Sequence, residues 1–405
     1  MITFRAEPPM HIGVAGPVSL SMLATHLPAD ASLPRGYPFP LIAQYVKGLL
    51  GRGHRVTVFT LCSETPSPLF IRGERLSVSI TPQRARRWWL DGQEREVRDL
   101  REAMRAHPVE VMHAHWTYEF PRAAHWAGVP TLVTAHDSPW RILRMMWPTG
   151  GRWIRLSRQV HALRVLREAQ ALTVVSPYLE DELRRDFAIT CPVTLVPNGL
   201  DAASMRTGPA KPGMRSEQPT LLAAFSGGFS GIKNGPLLLE ACQRLHTEGK
   251  PFRLVLLGAG CEPGGDAERT FLARGCSFPI RFQGPQAHAE VLRLMREEAD
   301  LYVHPSLEES FGMAILEAMA QGLPVVGGGA SGAVPWLLGH GASGYLADMT
   351  SPQAVAECLA GALAAPEATA GKAAAALARV SEYFTLEGMV EGYERLLRDL
   401  NPVSG

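Results

Sequence analysis

The chain alternates short apolar runs with longer amphipathic ones, and it does so twice. In the first half, apolar runs at 11–15, 55–61, 110–114, 131–135, 172–175 and 193–196 predict strands. Segments with helical spacing at 40–50, 94–106, 120–127, 153–169 and 178–187 lie between them. Strand–helix alternation of this kind predicts a parallel sheet covered on both faces. Residues 201–219 break the rhythm with small residues, Lys, Gly and three prolines, and read as an interdomain connection. The rhythm then restarts with strands at 221–225, 253–257, 280–283 and 301–303, and helices at 235–247 and 287–296. Alanine-rich helical segments at 353–365 and 372–380 and a last helix at 386–400 close the chain. The expected fold class is α/β, with two Rossmann-like doubly wound domains and a ligand cleft between them at the carboxyl ends of the strands.

One stretch carries the densest chemistry, Glu308-Glu309-Ser310-Phe311-Gly312-Met313-Ala314-Ile315-Leu316-Glu317-Ala318-Met319-Ala320-Gln321-Gly322. Ser310 reads as a helix N-cap, and Gly322 before Leu323-Pro324 as a stop. Glu317 is a carboxylate among apolar neighbours, costly to bury without a hydrogen-bond partner. A helix running from Glu309 to Glu317 would set the two carboxylates roughly 12 Å apart. The free N–H groups near Phe311, Gly312 and Met313 would favour an anion between them. Acceptor, anion site, acceptor is the polarity pattern of a sugar–diphosphate–ribose ligand. The bland alternative for Glu317 is an ion pair with a neighbouring arginine.

Length and composition narrow the class. The 405 residues exceed one hydrophobic core, and 46% hydrophobic with 20% charged residues describes a globular chain. A formal charge of +1 gives no reason to expect nucleic acid. The six cysteines contain no Cys-x-x-Cys pair, which suits reduced, cytoplasmic thiols. The start of the chain lacks a signal-peptide core, and residues 318–347, with eight glycines and two prolines, cannot make a plain spanning helix.

Other segments add candidate chemistry. His136 ends an apolar strand, so it points out of the sheet's carboxyl edge; His113 and His115 end the strand before it. The loop Ser226-Gly227-Gly228-Phe229-Ser230-Gly231-Ile232-Lys233-Asn234-Gly235 offers glycines for close phosphate approach and Lys233 as a point charge. The run Leu257-Gly258-Ala259-Gly260 imitates a dinucleotide fingerprint, but Pro263-Gly264-Gly265 interrupts the helix that should follow, which argues against a dehydrogenase. Between Ser138 and Arg167 lie seven arginines, no Asp or Glu, and Trp140, Trp147 and Trp153; Arg84, Arg86 and Arg87 beside Trp88-Trp89 repeat this on a smaller scale. Such a 138–167 segment suits an anionic membrane surface or a lipid-diphosphate acceptor, and equally a solvated helix face. No Asp-x-Asp triplet or His/Cys/Asp/Glu cluster has metal spacing, so no metal or bound cofactor is expected.

Taken together, Pro305-Ser306-Leu307, Glu309-Ser310-Phe311-Gly312-Met313, Leu316-Glu317-Ala318-Met319-Ala320 and Gly322-Leu323-Pro324-Val325-Val326 resemble the signature of retaining glycosyltransferases of family four, which have the GT-B fold. Gly51-Arg52-Gly53-His54, Thr134-Ala135-His136-Asp137 and Val196-Pro197-Asn198-Gly199 extend the resemblance along most of the chain. It implies domains at 1–203 (acceptor side) and 204–384 (nucleotide-sugar donor side), with 385–405 returning to the first. It also implies transfer of a hexose-type sugar from a nucleotide-diphosphate sugar to a carbohydrate or lipid-linked acceptor hydroxyl, with retention and without metal. By resemblance, Glu309 and His136 would meet donor-sugar hydroxyls, Glu317 the ribose, and Lys233 the diphosphate. Asn234, Phe311, Gly312, Met313 and Ala314 would line the donor.

Two departures stand out. The family carries an arginine about five residues before the lysine, where this chain has Gly228; Arg35 and Arg281 are candidate substitutes. The family's paired N-terminal glycines reduce to Gly36 in Leu33-Pro34-Arg35-Gly36-Tyr37-Pro38. The expected location is cytoplasmic, or peripheral on the inner membrane face. Rival readings are a sugar-nucleotide epimerase or phosphorylase on the same architecture, or a noncatalytic sugar-nucleotide-binding protein.

Overall fold

A computed structural model describes residues 8–84, 91–146, 152–208 and 217–401. The chain forms two compact units: residues 1–199 with 386–405, and residues 200–385.

In the first unit the order is β1 (His11–Ala15), α1 (Leu41–Gly51), β2 (Arg55–Cys62), β3 (Leu69–Arg72), β4 (Leu76–Pro82), α2 (Glu94–Ala106) and β5 (Val111–His115). It continues with α3 (Glu119–Ala127), β6 (Thr131–Ala135), α4 (Pro139–Met146), α5 (Arg152–Glu168), β7 (Ala171–Val174), α6 (Pro177–Asp186) and β8 (Val193–Leu195). The strands form one sheet in the order β3-β4-β2-β1-β5-β6-β7-β8, parallel except for the β3–β4 pair. Strands β5 and β6 are buried along their whole length, as a sheet covered on both faces requires. Alternate residues feed two cores: Ile12, Val14, Val56 and Val58 on one face, Ala15, Phe59, Met112 and Ala114 on the other.

The second unit runs β9 (Thr220–Phe225), α7 (Gly235–Thr247), β10 (Arg253–Gly258), α8 (Asp266–Ala273), β11 (Ile280–Phe282), α9 (His288–Glu297) and β12 (Leu301–Val303). Then come α10 (Met313–Ala320), β13 (Val325–Gly328), α11 (Val334–Leu337), β14 (Tyr345–Ala347), α12 (Pro352–Ala364) and α13 (Pro366–Tyr383). Its sheet, β11-β10-β9-β12-β13-β14, is parallel throughout. The last helix, α14 (Leu386–Leu400), belongs to the first unit, where Tyr393 meets Tyr45 of α1 edge to face at 5.3 Å. The α/β class with two parallel, Rossmann-like sheets is therefore as the hydrophobic pattern predicted.

Three differences have physical causes. Strand β4 escapes a search for apolar runs, because Leu76–Pro82 alternates Leu, Val and Ile with Ser and Thr at the period of a strand; β3 (Leu69–Arg72) is only four residues long. Helix α8 does follow the Gly-rich turn after β10, but it starts only at Asp266, after Gly265 has left the turn in an extended conformation. Helix α10 starts at Met313 rather than after Ser310. Its N-cap is Gly312, whose φ of 103° sets the preceding backbone off the helical path.

Candidate active site

Each sheet reverses strand order beside its first strand, the place where open α/β sheets leave a crevice at their carboxyl edge. In the second unit that point lies between β9 and β12. The loop after β9 delivers Lys233 and the loop after β12 delivers Glu309, and Lys233 Nζ lies 2.6 Å from Glu309 Oε1. His304 Nε2 approaches the same oxygen at 2.9 Å. Burial alone would raise the Glu309 pKa. The hydrogen bond and charge of His304, followed by those of Lys233, outweigh it and hold the carboxyl well below the usual range.

The two loops are fastened to each other. Leu307 N donates to the Ile232 carbonyl at 2.8 Å, and Asn234 Nδ2 donates to the carbonyls of Pro305 (3.2 Å) and Met349 (2.8 Å). Ser331 Oγ holds the Ser306 carbonyl at 2.7 Å. Asn234, a residue expected to line the donor, thus has its amide hydrogens committed to the scaffold.

Beyond Glu309 the chain reaches α10. The Gly312 carbonyl accepts from Ile315 N and Leu316 N, so the amides of Met313 and Ala314 lie ahead of the first intrahelical bonds and are open to an anion. At the other end, Leu323 N bonds Ala318 O (3.1 Å) and Gly322 N bonds Met319 O (2.9 Å), the paired closure that Gly322 signalled in sequence. Glu317 does have a partner, and it is a histidine rather than an arginine: His288 Nε2 of α9 stands 2.8 Å from Glu317 Oε1. That hydrogen bond raises the His288 pKa against the opposing pull of burial. Because residues 309–312 are not helical, the spacing of the two carboxylates is set by a loop and one turn of helix together.

Gly228 has φ +112°, and a Cβ there would meet nothing within 4 Å. Backbone conformation rather than lack of space disfavours an arginine at this position. Gly228 borders a cavity of about 470 Å³ lined also by Gly260, Glu262 and Asp266. Of the two suggested substitutes, Arg281 is engaged by Glu298 at 2.6 Å, and Arg35 belongs to the first unit.

In the first unit the strand order reverses between β1 and β5. His113 links Tyr45 (2.8 Å) to Thr134 (2.6 Å), and His115 Nδ1 lies 3.0 Å from His136 Nε2. Burial pushes His136 down to about 4, and His113 and His115 well below their ordinary value, so all three rings are neutral at physiological pH. Trp116, at the end of β5, adopts φ 65°, and its ring lies 4.5 Å from that of His136. A bulky residue in the left-handed region is strained and persists only where its surroundings hold it there; nothing in the amino-acid pattern flagged it. Gly36 has φ +70°, and a Cβ there would meet the Val18 carbonyl at 2.5 Å, so only glycine fits.

Gly36, Trp116, Tyr118, Glu119 and Arg158 border a cavity of about 350 Å³. Arg158 lies 4.8 Å over the Tyr118 ring, and its Nε is buried without a hydrogen-bond partner. Tyr118 donates to Asp137 Oδ1 at 2.8 Å, while burial lifts the Asp137 carboxyl to about 6.

Two arginines of the 138–167 segment find counter-charges on other elements. Arg144 pairs with Asp186 and Arg164 with Glu94, both at 3.3 Å, while Arg84 is held by Glu96 and Asp91. Arg86, Arg87, Trp88, Trp89 and Trp147, with the side chains of Arg152, Trp153 and Arg155, lie outside the described residues. Among the described residues, no helix is long and apolar enough to cross a membrane, and no group of three His, Cys, Asp or Glu is placed to hold a metal ion.

Comparison with known proteins bears on the class that these two sites define. The family described as Glycosyltransferase Family 4 matches residues 41–204, and that described as Glycosyl transferases group 1 matches residues 210–376. With two parallel Rossmann-like sheets beneath those matches, the chain belongs to the family four glycosyltransferases of GT-B fold. A D-inositol 3-phosphate glycosyltransferase from Corynebacterium jeikeium is 29% identical over 216 residues, 50% of this chain; the match spans about half of that relative's length (51%). Among solved structures, a sucrose-phosphate synthase from Thermosynechococcus elongatus superposes with a TM-score of 0.73 at 19% identity, covering 96% of this chain and 99% of the other. The Anabaena protein HepE in complex with UDP and glucose gives 0.67 at 18% identity, covering 96% and 100%. Identities this low speak for the fold alone.

Proposed function

We propose that the chain transfers a hexose-type sugar from a nucleoside-diphosphate sugar to an acceptor hydroxyl with retention of configuration. The observation that carries this reading is the Lys233–Glu309–His304 cluster at the strand switch of the second unit, followed directly by the open amides of α10. Glu309, kept ionised, is an acceptor for sugar hydroxyls. Lys233 and the Met313 and Ala314 amides stabilise charge on the departing diphosphate. Glu317 accepts from the ribose, in exchange for or beside His288. In the reaction the sugar's anomeric carbon loses its bond to the diphosphate oxygen and gains one to the acceptor oxygen on the same face. The acceptor's proton passes to the leaving phosphate. The HepE complex, which contains UDP and glucose, supports the donor class.

The first unit supplies what an acceptor needs. His136, neutral, is a partner for a donor-sugar hydroxyl, the role the family resemblance implies, and is not assigned to the acceptor. Arg158, half-buried at the cavity with its Nε buried and unpartnered, suits an acceptor bearing a phosphate or carboxylate. The relative named as acting on inositol 3-phosphate is in keeping with that. Transfer assays with UDP-, GDP-, ADP- and TDP-glucose, each with a sugar phosphate and with a neutral sugar, test both halves. Turnover of one donor, faster with the phosphorylated acceptor, is expected; interconversion of the donor sugar without transfer would support an epimerase instead.

A further inference from the structure

The donor-site reading leaves one buried polar group at the same crevice without a task. His304 follows β12, is 4% exposed, and directs Nε2 onto Glu309 Oε1 at 2.9 Å. Ionised Glu309 can only accept, so the hydrogen in this bond resides on His304 Nε2. On the other side of the ring, Nδ1 faces the hydroxyl of fully buried Tyr302 at 3.5 Å. Lys233 reaches the same carboxylate oxygen as His304. Both donors therefore converge on Oε1, and neither is placed on Oε2. A glutamate on a loop has three side-chain torsions, the last of them soft, and can turn either oxygen outward. Two donors on one oxygen, one of them fixed in a buried ring, remove that freedom.

Resting on the donor-site reading, we propose that His304 is a positioning residue for sugar transfer: it clamps Oε1 of Glu309 so that Oε2 is presented to the hydroxyls of the donor sugar. His304 touches neither the sugar nor the nucleotide in this scheme and acts only through Glu309. Lys233 cannot take over the task, because the departing diphosphate draws it away from the carboxylate during the reaction. The ring holds Glu309 in place when that happens.

The test uses His304→Leu, His304→Gln, Glu309→Gln and the His304→Leu/Glu309→Gln double variant of the full chain. Each is assayed with whichever of UDP-, GDP-, ADP- and TDP-glucose the wild type turns over, and each is titrated with the corresponding free nucleoside diphosphate. Losing a hydrogen bond to a charged group corresponds to roughly tenfold to a hundredfold. His304→Leu should therefore lower kcat/KM for the sugar nucleotide by about that factor and leave the affinity for the free diphosphate within about twofold. His304→Gln places an amide N–H near the position of Nε2 and should restore most of the loss. In the Glu309→Gln background, His304→Leu should cost less than about threefold. Equal losses for sugar nucleotide and free diphosphate, or fully additive effects in the double variant, would overturn the positioning role. A damaged Glu309→Gln beside an intact His304→Leu would sink this assignment alone. No turnover of any donor by the wild type, or an unaffected Glu309→Gln, would instead remove the donor-site reading on which it rests.

Discussion

The two strand switches of this chain are built alike and charged differently. Where β9 meets β12, a lysine and a histidine converge on one carboxylate, which the pair keeps ionised despite burial. Where β1 meets β5, three histidines lie ring to ring, and burial keeps all of them neutral. One crevice holds fixed charge, a lysine against an ionised carboxylate. The other offers uncharged donors and acceptors, with the half-buried Arg158 set beside the carboxylates of Glu119 and Asp137 in a cavity wall. The same topology thus gives a charge-stabilising site and a neutral one, according to which residues end the strands.

That contrast breaks most visibly at Glu309. Glu309→Gln should lower kcat/KM on the order of a hundredfold or more, the effect of removing a group aimed at the transition state; steady-state transfer kinetics read it. A weaker but still large effect is expected in the first unit, on stability rather than rate. Asp137 has its carboxyl raised from 3.8 to about 6 by burial, partly offset by the Tyr118 hydrogen bond. The native state therefore holds the proton more tightly than the unfolded chain, and stability falls as pH rises from about 4 through about 6. Asp137→Asn removes that penalty, so it should stabilise on the order of 2–3 kcal/mol at pH 7.5 and change little at pH 3.5. Thermal melts at the two pH values decide it.

Glu317→Gln should weaken nucleotide binding by roughly five- to tenfold, the scale of one hydrogen bond, as measured by calorimetry. It should also lower the His288 titration midpoint in NMR, because the Glu317 hydrogen bond is what raises it. The smallest effect concerns Gly228. Gly228→Ala should destabilise by about 1–2 kcal/mol from backbone strain alone, seen as a modest fall in Tm, although the space beside it is open.

What could be read from the sequence follows period and punctuation. The segments β1, β6, α2, α7, β12 and α14 appear at the expected residues, because each is a clean apolar run or a clean helical repeat. Gly322 announced the end of α10 by its left-handed closure. Ser310 misled because capping preference is local, while the loop from β12 has its own fastening to Ile232 and Ser331 and turns into the helix only at Gly312. His304, His288 and Trp116 were out of reach, since what makes them notable is a partner twenty-nine residues away, a shared oxygen or a positive φ. His304 did leave one trace: it ends a buried strand as His136 does. The arginines of 138–167 looked unopposed in sequence, but Glu94 and Asp186 arrive from other helices.

Calorimetric titration of the wild type and of Glu309→Gln, each with the preferred nucleoside-diphosphate glucose and with the bare nucleoside diphosphate, tests the donor site most directly. The account predicts that the wild type binds the sugar nucleotide at least tenfold more tightly than the variant does. It also predicts that the two proteins bind the bare diphosphate alike. Indistinguishable binding of the sugar nucleotide by both proteins would contradict it.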